Sequence, residues 1–153
     1  MTFMTRKLYF EGNSTQHEIA INKYLLYLKS PETPLSPSIK MFANLRLHDL
    51  IAGDWQRSRP NSLLLPIGWY QIEFQGVSSS FVSPDIAGQS WLWHEIEMLT
   101  IRACKCYVIM DTSEFSFGFQ DVSVFDTLKK TFITAFNSHS LSAKDRTGRR
   151  KQR

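Results

Sequence analysis

The stretch that decides the fold runs from Trp69 to Phe136 and opens with WYQIEFQGVSSSFVS at residues 69–83. Apolar and polar side chains alternate along Tyr70–Phe74 and again along Val77–Phe81, with Gln75-Gly76 between the two runs. A period of two residues places the apolar side chains on one face of a strand, and a glycine between two such runs is a turn signal. The pattern therefore predicts a β-hairpin with one buried face.

Three later segments have the same character. Trp91 begins a short strand that continues towards Ile101, and Cys104–Met110 is an apolar strand. The pair Asp111-Thr112 then turns the chain into Ser113–Phe119, where alternate phenylalanines share one face. The sequence thus predicts several antiparallel strands in succession.

The end of this stretch changes from a period of two to helical spacing. A capping residue at Asp121 or Ser123 precedes four apolar residues in a single helical stripe, namely Phe125, Leu128, Phe132 and Phe136. Burying such side chains contributes about 1.5–3 kcal/mol each, so we predict an amphipathic helix that packs on the sheet. The predicted fold class is α+β, a bent antiparallel sheet closed by a C-terminal helix.

The N-terminal third is predicted to be mostly helical. Its best-marked element is a helix that begins after Thr15, and Glu18 three residues further on gives the spacing of a capping box. Residues 1–136 are predicted to form one globular domain, with residues 63–136 supplying the sheet and the closing helix. The predicted elements before residue 63 are a strand at Lys7–Glu11, a helix at Gln16–Leu28, a proline-rich connector at Pro31–Pro37, a helix at Ser38–Ala52 and a loop at Asp54–Ser62.

The positive charge of the chain is concentrated at its C-terminus. The chain has 18 Lys and Arg residues against 14 Asp and Glu, but residues 137–153 hold six of the cations and only one anion, Asp145, for a net charge of +5. The basic isoelectric point therefore belongs to this tail, and nucleic-acid binding by the globular part does not follow from it. We predict a disordered tail with cations at Lys144, Arg146, Arg149, Arg150, Lys151 and Arg153.

The only two cysteines, Cys104 and Cys106, lie two residues apart in a predicted strand. Side chains at that spacing lie about 6.5–7 Å apart along the strand, which is too far for a disulfide. Free thiols are expected. The alternatives are a soft-metal pair or a thiol made reactive by the adjacent Arg102 and Lys105. We predict no cofactor and no metal.

The location of the protein is expected to be cytoplasmic. No apolar signal region follows Met1, and the longest charge-free apolar run, Leu63–Ile72, is much shorter than the ~20 residues that span a bilayer. We therefore expect a small, soluble, bacterial protein without a transmembrane segment.

One set of residues resembles a known family. The set consists of Phe74, Gly76-Val77, Trp93-His94-Glu95-Ile96, Tyr107-Val108-Ile109-Met110, Phe115-Ser116-Phe117 and Leu128-Lys129-Lys130. It is similar to the C-terminal half of YcxB-like proteins, which are bacterial pleckstrin-homology-like domains. The resemblance implies a bent sheet plugged at one end by a terminal helix. It implies no catalytic residues, and it does not extend to the N-terminal third.

Trp91, Trp93 and His94 form the candidate partner-binding set. Because alternate residues of a strand share a face, either both tryptophans are in the core and Leu92 is exposed, or Leu92 is in the core and the tryptophans form an exposed patch. An exposed pair of tryptophans would be a partner surface or a dimer seam.

His94 also supports a catalytic alternative. Glu95 and Glu97 flank it, and a strand end would bring it near Asp111 or Glu114, giving a base with a carboxylate partner. The competing interpretation is a polar residue at the edge of the sheet beside a core tryptophan. No histidine lies in a recognisable catalytic motif among His17, His48, His94 and His139.

Three functions are predicted from these features, in order of preference. The first is a non-enzymatic binding or adaptor protein that recognises a protein partner or self-associates as a homodimer, because the strands make a scaffold and no catalytic set is evident. The second is a nucleic-acid or anionic-surface binder that acts through the basic tail. The third is a small enzyme with a cleft around His94.

Overall fold

The computed structural model describes residues 2–134, in which three helices precede eight strands. The helices are α1 (Arg6–Glu11), α2 (Ser14–Lys29) and α3 (Pro37–Ala43). The strands are β1 (Gln56–Arg59), β2 (Ser62–Ile67), β3 (Tyr70–Gln75), β4 (Trp91–Thr100), β5 (Ala103–Met110), β6 (Glu114–Phe119), β7 (Asp121–Asp126) and β8 (Thr131–Ile133). The predicted α+β class and the mostly helical N-terminal third are confirmed.

The strands form two antiparallel sheets. One sheet has the order β1-β2-β3-β7-β8, and the other has the order β4-β5-β6. Because β7 returns to pair with β3, the smaller sheet is inserted in the chain between two neighbouring strands of the larger one. The two sheets share a core in which the ring of Phe74 on β3 lies 4.8 Å from that of Phe117 and 5.5 Å from that of Phe119 on β6.

The predicted strands of the smaller sheet are confirmed. Cys104–Met110 lies within β5, and Ser113–Phe119 corresponds to β6. Phe117 and Phe119 are buried while Phe115 is half-buried, as expected for phenylalanines on one face of a strand.

The C-terminal helix predicted from Asp121 or Ser123 is wrong over the described residues, because β7 and β8 occupy this segment. Val122 and Val124 are buried on the inner face of the larger sheet. Valine is β-branched and packs well on a pleated surface, so the alternation of β7 outweighs the helical spacing of the larger side chains.

The apparent helical stripe joins residues in different environments. Phe125 and Phe132 face each other across β7 and β8, with ring centroids 5.1 Å apart, whereas Leu128 is exposed in the turn between these strands. Phe136, the last member of the predicted stripe, lies outside the described residues.

The hairpin predicted across Gly76 is also wrong. β3 pairs with β2 and β7, and the chain after Gly76 is irregular, with a hydrogen bond of 2.7 Å between the hydroxyl oxygens of Ser78 and Ser80. The strand β2, one of the two partners of β3, was not predicted, because most of its residues are buried and the alternation of a one-sided strand is therefore weak.

The strand predicted at Lys7–Glu11 is also wrong, because these residues belong to α1. The Thr5 hydroxyl accepts the backbone N–H of Leu8 at 3.0 Å, which supplies one of the acceptors that a helix start requires. The helix predicted over Ser38–Ala52 ends at Ala43, and the loop predicted after it contains β1.

The long N-terminal helix is confirmed as α2, with a different capping box. Asn13 and Gln16 form it: the Asn13 side chain accepts the Gln16 N–H at 2.9 Å, and the Gln16 side chain accepts the Asn13 N–H at 3.0 Å. Thr15 and Glu18, the predicted pair, lie inside the helix. The same reciprocal geometry therefore begins two residues earlier than expected.

Within residues 2–134, no helix is both long enough and apolar enough to cross a bilayer. The predicted tail, residues 137–153 with its six cations, lies outside the described residues.

Candidate functional site

A groove of about 570 Å³ lies between α2, the segment 43–48 and the start of β4. One wall consists of Ile21, Tyr24 and Leu25 from α2, and the floor is residues 91–94. Binding pockets have typical volumes of about 300–1,000 Å³ and mostly apolar linings. This groove has the size and the lining of such a pocket.

The wall opposite α2 is held at both ends by β4. At its start, the Phe42 carbonyl accepts a hydrogen bond from Nε2 of His94 at 2.9 Å. At its end, the Asp49 N–H donates to the Trp91 carbonyl, and the Trp91 N–H donates to the Leu50 carbonyl, each at 2.9 Å. A loop tied in this way is a fixed wall, so the groove is preformed.

A β-bulge between Trp91 and Trp93 overturns both alternatives for the tryptophan pair. An extra residue in one strand breaks the strict alternation of faces. Trp91 is fully buried, whereas Leu92 and Trp93 are both half-buried and line the groove. The exposed pair of tryptophans is not formed, because Trp91 belongs to the core.

His94 is a core residue and not an available acid or base. Its Nδ1 accepts the indole N–H of Trp91 at 3.1 Å, and its Nε2 lies 2.9 Å from the Phe42 carbonyl. Burial lowers the pKa of His94 to about 4, so the imidazole is neutral. Both ring nitrogens are occupied by protein groups, which leaves neither one free to exchange a proton with a substrate.

The carboxylates predicted to join His94 make no hydrogen bond or ion pair with it within residues 2–134. Glu114 accepts a hydrogen bond from the Tyr107 hydroxyl. Asp111 lies in the turn between β5 and β6, where its backbone carbonyl accepts a hydrogen bond from the Arg6 guanidinium at 2.8 Å. Within the described residues, these groups do not converge on one cleft.

Glu95 positions the half-buried tryptophan of the groove. Its carboxylate accepts the Trp93 indole N–H at 3.0 Å and the backbone N–H groups of Phe3 and Met4 at 2.9 and 2.5 Å. Burial raises the pKa of Glu95, and these three donors oppose that shift. From the sequence, Glu95 was singled out only as a neighbour of His94 and as a member of the set that resembles YcxB-like proteins. The available signal was its spacing of two residues from Trp93.

The rim of the groove has a chain of hydrogen bonds that sequence analysis missed. The Tyr9 hydroxyl lies 2.8 Å from Nε2 of His48, and Nδ1 of His48 lies 2.9 Å from the Asp49 carboxylate. Burial and the charge of Asp49 both raise the pKa of Tyr9, so this hydroxyl is a hydrogen-bonding group and not an activated nucleophile. No local motif signals this chain, since Tyr9 comes from α1.

Arg46 gives the groove a cationic group. It lines the groove and its side chain is exposed. No residue of the 2–134 range makes a hydrogen bond or an ion pair with its guanidinium. An unpaired guanidinium beside an apolar surface favours ligands that carry a carboxylate.

The two cysteines are free thiols, as predicted, and both are buried. Burial raises the pKa of each thiol, which argues against the alternative of a reactive thiolate. In the described part of the chain, no group of three or more His, Cys, Asp or Glu side chains is placed to hold a metal ion.

The fold and the groove together define an α+β protein of two packed antiparallel sheets with a preformed, mainly apolar cleft. Comparison of the chain with protein-family models, with curated proteins and with solved structures gives no match. The resemblance to YcxB-like proteins therefore stays a prediction, and in residues 121–133 strands take the place of the helix that it implies.

Proposed function

We propose that this protein is a non-enzymatic binding module that holds an apolar segment of a partner protein in the groove between α2 and β4. The observation that carries the proposal is the preformed cleft of about 570 Å³ lined by aliphatic and aromatic side chains. Protein partners gain most of their affinity from a few apolar anchors that fill such clefts. His94, the one histidine in the floor, contributes to packing and not to chemistry.

The chemistry of the rim specifies the partner further. Arg46 is an exposed cation at the groove, and the Tyr9–His48 pair adds hydrogen-bonding capacity beside it. A partner segment with an acidic residue next to its apolar anchor matches both features, since a carboxylate pairs with a guanidinium in bidentate geometry. We therefore expect acidic, apolar segments to be the preferred ligands.

Fluorescence polarisation with synthetic peptides tests this function. The peptides carry a Leu-rich or Phe-rich anchor followed by Glu, Gln or Lys. We expect the Glu peptides to bind most tightly, and Arg46→Glu to reverse the preference in favour of the Lys peptides. Leu25→Glu places a charge in the apolar wall and is expected to weaken binding at least about tenfold, since leaving a charge unpaired against apolar groups costs more than about 1.4 kcal/mol.

A matched control is available on the same helix. Leu25 is 37% exposed and lines the groove, whereas Leu26 is 70% exposed and is not part of its lining. Leu26→Glu is therefore expected to bind the peptides as the wild type does. Equal effects of Leu25→Glu and Leu26→Glu, or equal binding of the Glu and Lys peptides to the wild type, would contradict the proposal.

A second copy of the chain is the alternative occupant. Light scattering after gel filtration distinguishes a second copy from a peptide. If the wild type is a dimer, Leu25→Glu dissociates it and none of the peptides binds, the groove is a homodimer contact and the peptide-binding proposal is wrong.

The second function predicted from the sequence depends on the tail. Residues 137–153 have a net charge of +5 and no aromatic residue to stack on bases. A tail with cations but no stacking groups favours an anionic surface over single-stranded nucleic acid as its partner.

A further inference from the structure

Three exposed apolar side chains lie at one end of the larger sheet, each on a different loop. Ile51 is 50% exposed, Trp69 is 40% exposed in the turn between β2 and β3, and Leu128 is 74% exposed in the turn between β7 and β8. None of them lines the groove described above. We call these three side chains, with Lys129 and Lys130, the tip.

Hydrogen bonds between the loops hold the tip together. The N–H of Gly68, next to Trp69, donates to the Ile51 carbonyl at 2.9 Å. Thr127, next to Leu128, donates to the Trp69 carbonyl twice, from its backbone N–H at 2.9 Å and from its hydroxyl at 2.7 Å. The three apolar side chains are therefore displayed by loops that are fixed relative to one another.

The turn that carries Leu128 is itself built to a defined shape. The buried carboxylate of Asp126 accepts the N–H groups of Leu128 and Lys129, each at 3.0 Å. Lys130 has a φ of 55°, the left-handed conformation that lets β8 turn back. A leucine held outwards by an ordered turn has no role in the core of this chain, which points to an external contact.

The charges around the tip are cationic. Lys129 and Lys130 are both exposed beside Leu128. The carboxylate of Asp126, in the same turn, is buried and accepts hydrogen bonds there, so the exposed charges of this turn are the two lysines.

We infer that the tip docks on an anionic phospholipid surface, with the apolar side chains at the level of the headgroups and Lys129 and Lys130 against the lipid phosphates. Tryptophan and leucine next to lysine are the residue types that enter the membrane interface, and cations near an anionic leaflet add about fivefold in affinity each. A nucleic-acid backbone would leave Ile51 and Leu128 without a partner. This inference does not depend on the groove.

Vesicle flotation with the full chain tests the inference. The probes are vesicles of phosphatidylcholine alone and vesicles with about one third phosphatidylserine, the composition expected to attract cations. We expect the wild type to bind only the second kind. Leu128→Ser is expected to lower binding about fivefold or more, and Lys129→Glu with Lys130→Glu to lower it at least about 25-fold, at about fivefold for each lysine lost.

The matched control is Ile101→Ser, in the turn between β4 and β5. Ile101 is 82% exposed and precedes Arg102. This turn of the smaller sheet thus combines an exposed aliphatic side chain with a cation, as the turn at Leu128 does in the larger sheet. We expect this variant to bind as the wild type does, and each variant to keep the circular dichroism spectrum of the wild type.

Several results would overturn the inference. Vesicle binding that is unchanged in Leu128→Ser would mean that the tail acts alone. Binding to single-stranded RNA that Leu128→Ser weakens, without binding to vesicles, would identify nucleic acid as the partner. A dimer that Leu128→Ser dissociates, again without vesicle binding, would identify the tip as a contact between copies. Wild-type protein that floats with neither kind of vesicle would leave the tip without a lipid role.

Discussion

His94 connects the floor of the groove to the stability of the protein. It accepts a hydrogen bond from the Trp91 indole and bonds to the Phe42 carbonyl through its other nitrogen. Its pKa is about 4 in the folded protein, against an ordinary value of 6.5. Between these values, the unfolded chain binds a proton at this residue and the folded chain does not, so folding is linked to pH.

We predict that the free energy of unfolding decreases as the pH falls from 6.5 to 4, by about 3 kcal/mol from His94. Above pH 6.5 the imidazole is neutral in both states and its full contribution is present. Below that pH only the unfolded state gains the proton, which stabilises it. Glu95 opposes this trend, because burial raises its pKa and the folded state then binds a proton more readily as the pH falls.

Urea titrations of the wild type and of His94→Gln separate the two contributions, because glutamine does not titrate. The variant is expected to show a flatter pH dependence than the wild type below pH 6.5, or a reversed one, whatever its stability at neutral pH. Parallel curves for the two proteins would mean that His94 has the same pKa in the folded and unfolded states.

At the scale of elements, α2 completes the hydrogen bonding of β4, which is an edge strand of the smaller sheet. The Tyr24 hydroxyl accepts the Ile96 N–H at 2.7 Å, and the Tyr27 hydroxyl accepts the Met98 N–H at 2.8 Å. Unpaired edge strands recruit strands from other chains. Tyr24 and Tyr27, three residues apart on one face of α2, thus protect the edge and hold α2 as a wall of the groove.

We predict that Tyr24→Phe lowers the free energy of unfolding by about 1–3 kcal/mol, because it leaves the buried Ile96 N–H without an acceptor. Hydrogen exchange of the Ile96 amide is expected to become faster, and urea denaturation measures the loss. Tyr70→Phe is the control, since the Tyr70 hydroxyl has no hydrogen-bond partner among residues 2–134, and its effect is expected to stay within about 0.5 kcal/mol. Equal effects in the two variants would show that the edge bond is not stabilising.

At the scale of the whole molecule, the N-terminal segment ties the helices to the far end of the smaller sheet. The Arg6 guanidinium donates to the carbonyls of Met110, Asp111 and Ser113 at 2.5, 2.8 and 3.0 Å, all in or beside the turn between β5 and β6. The Glu95 carboxylate on β4 accepts the backbone N–H groups of Phe3 and Met4. These contacts hold the helices over the sheet that forms the groove floor.

We predict that Arg6→Ala lowers the free energy of unfolding by about 1.5–3 kcal/mol, the range for hydrogen bonds that involve a charged group. The N-terminal segment is expected to become more sensitive to limited proteolysis. Lys7→Ala removes an exposed neighbouring cation with no contact to the turn and is expected to change stability by less than about 0.5 kcal/mol. If Lys7→Ala and Arg6→Ala change the free energy of unfolding equally, the contacts of Arg6 with the turn do not hold the N-terminal segment in place.

The candidate site was only partly predictable from the sequence. Trp93 and His94 were singled out because aromatic and polar residues meet there, and both line the groove. Arg46 and Leu25 were not, because the groove forms only when α2, the segment after α3 and β4 come together. Spacing along one element carries no information about such a cleft.

Local pattern by itself determined the α+β class, the course of α2, β5 and β6, the free thiols and the position of the positive charge. Tertiary structure decided that β3 pairs with β2 and β7, that residues 121–133 form strands, and that a bulge buries Trp91 while Trp93 faces the groove. The physical reason is that a residue pattern specifies which face of an element is buried. The partner that buries it is selected by packing between segments far apart in the chain.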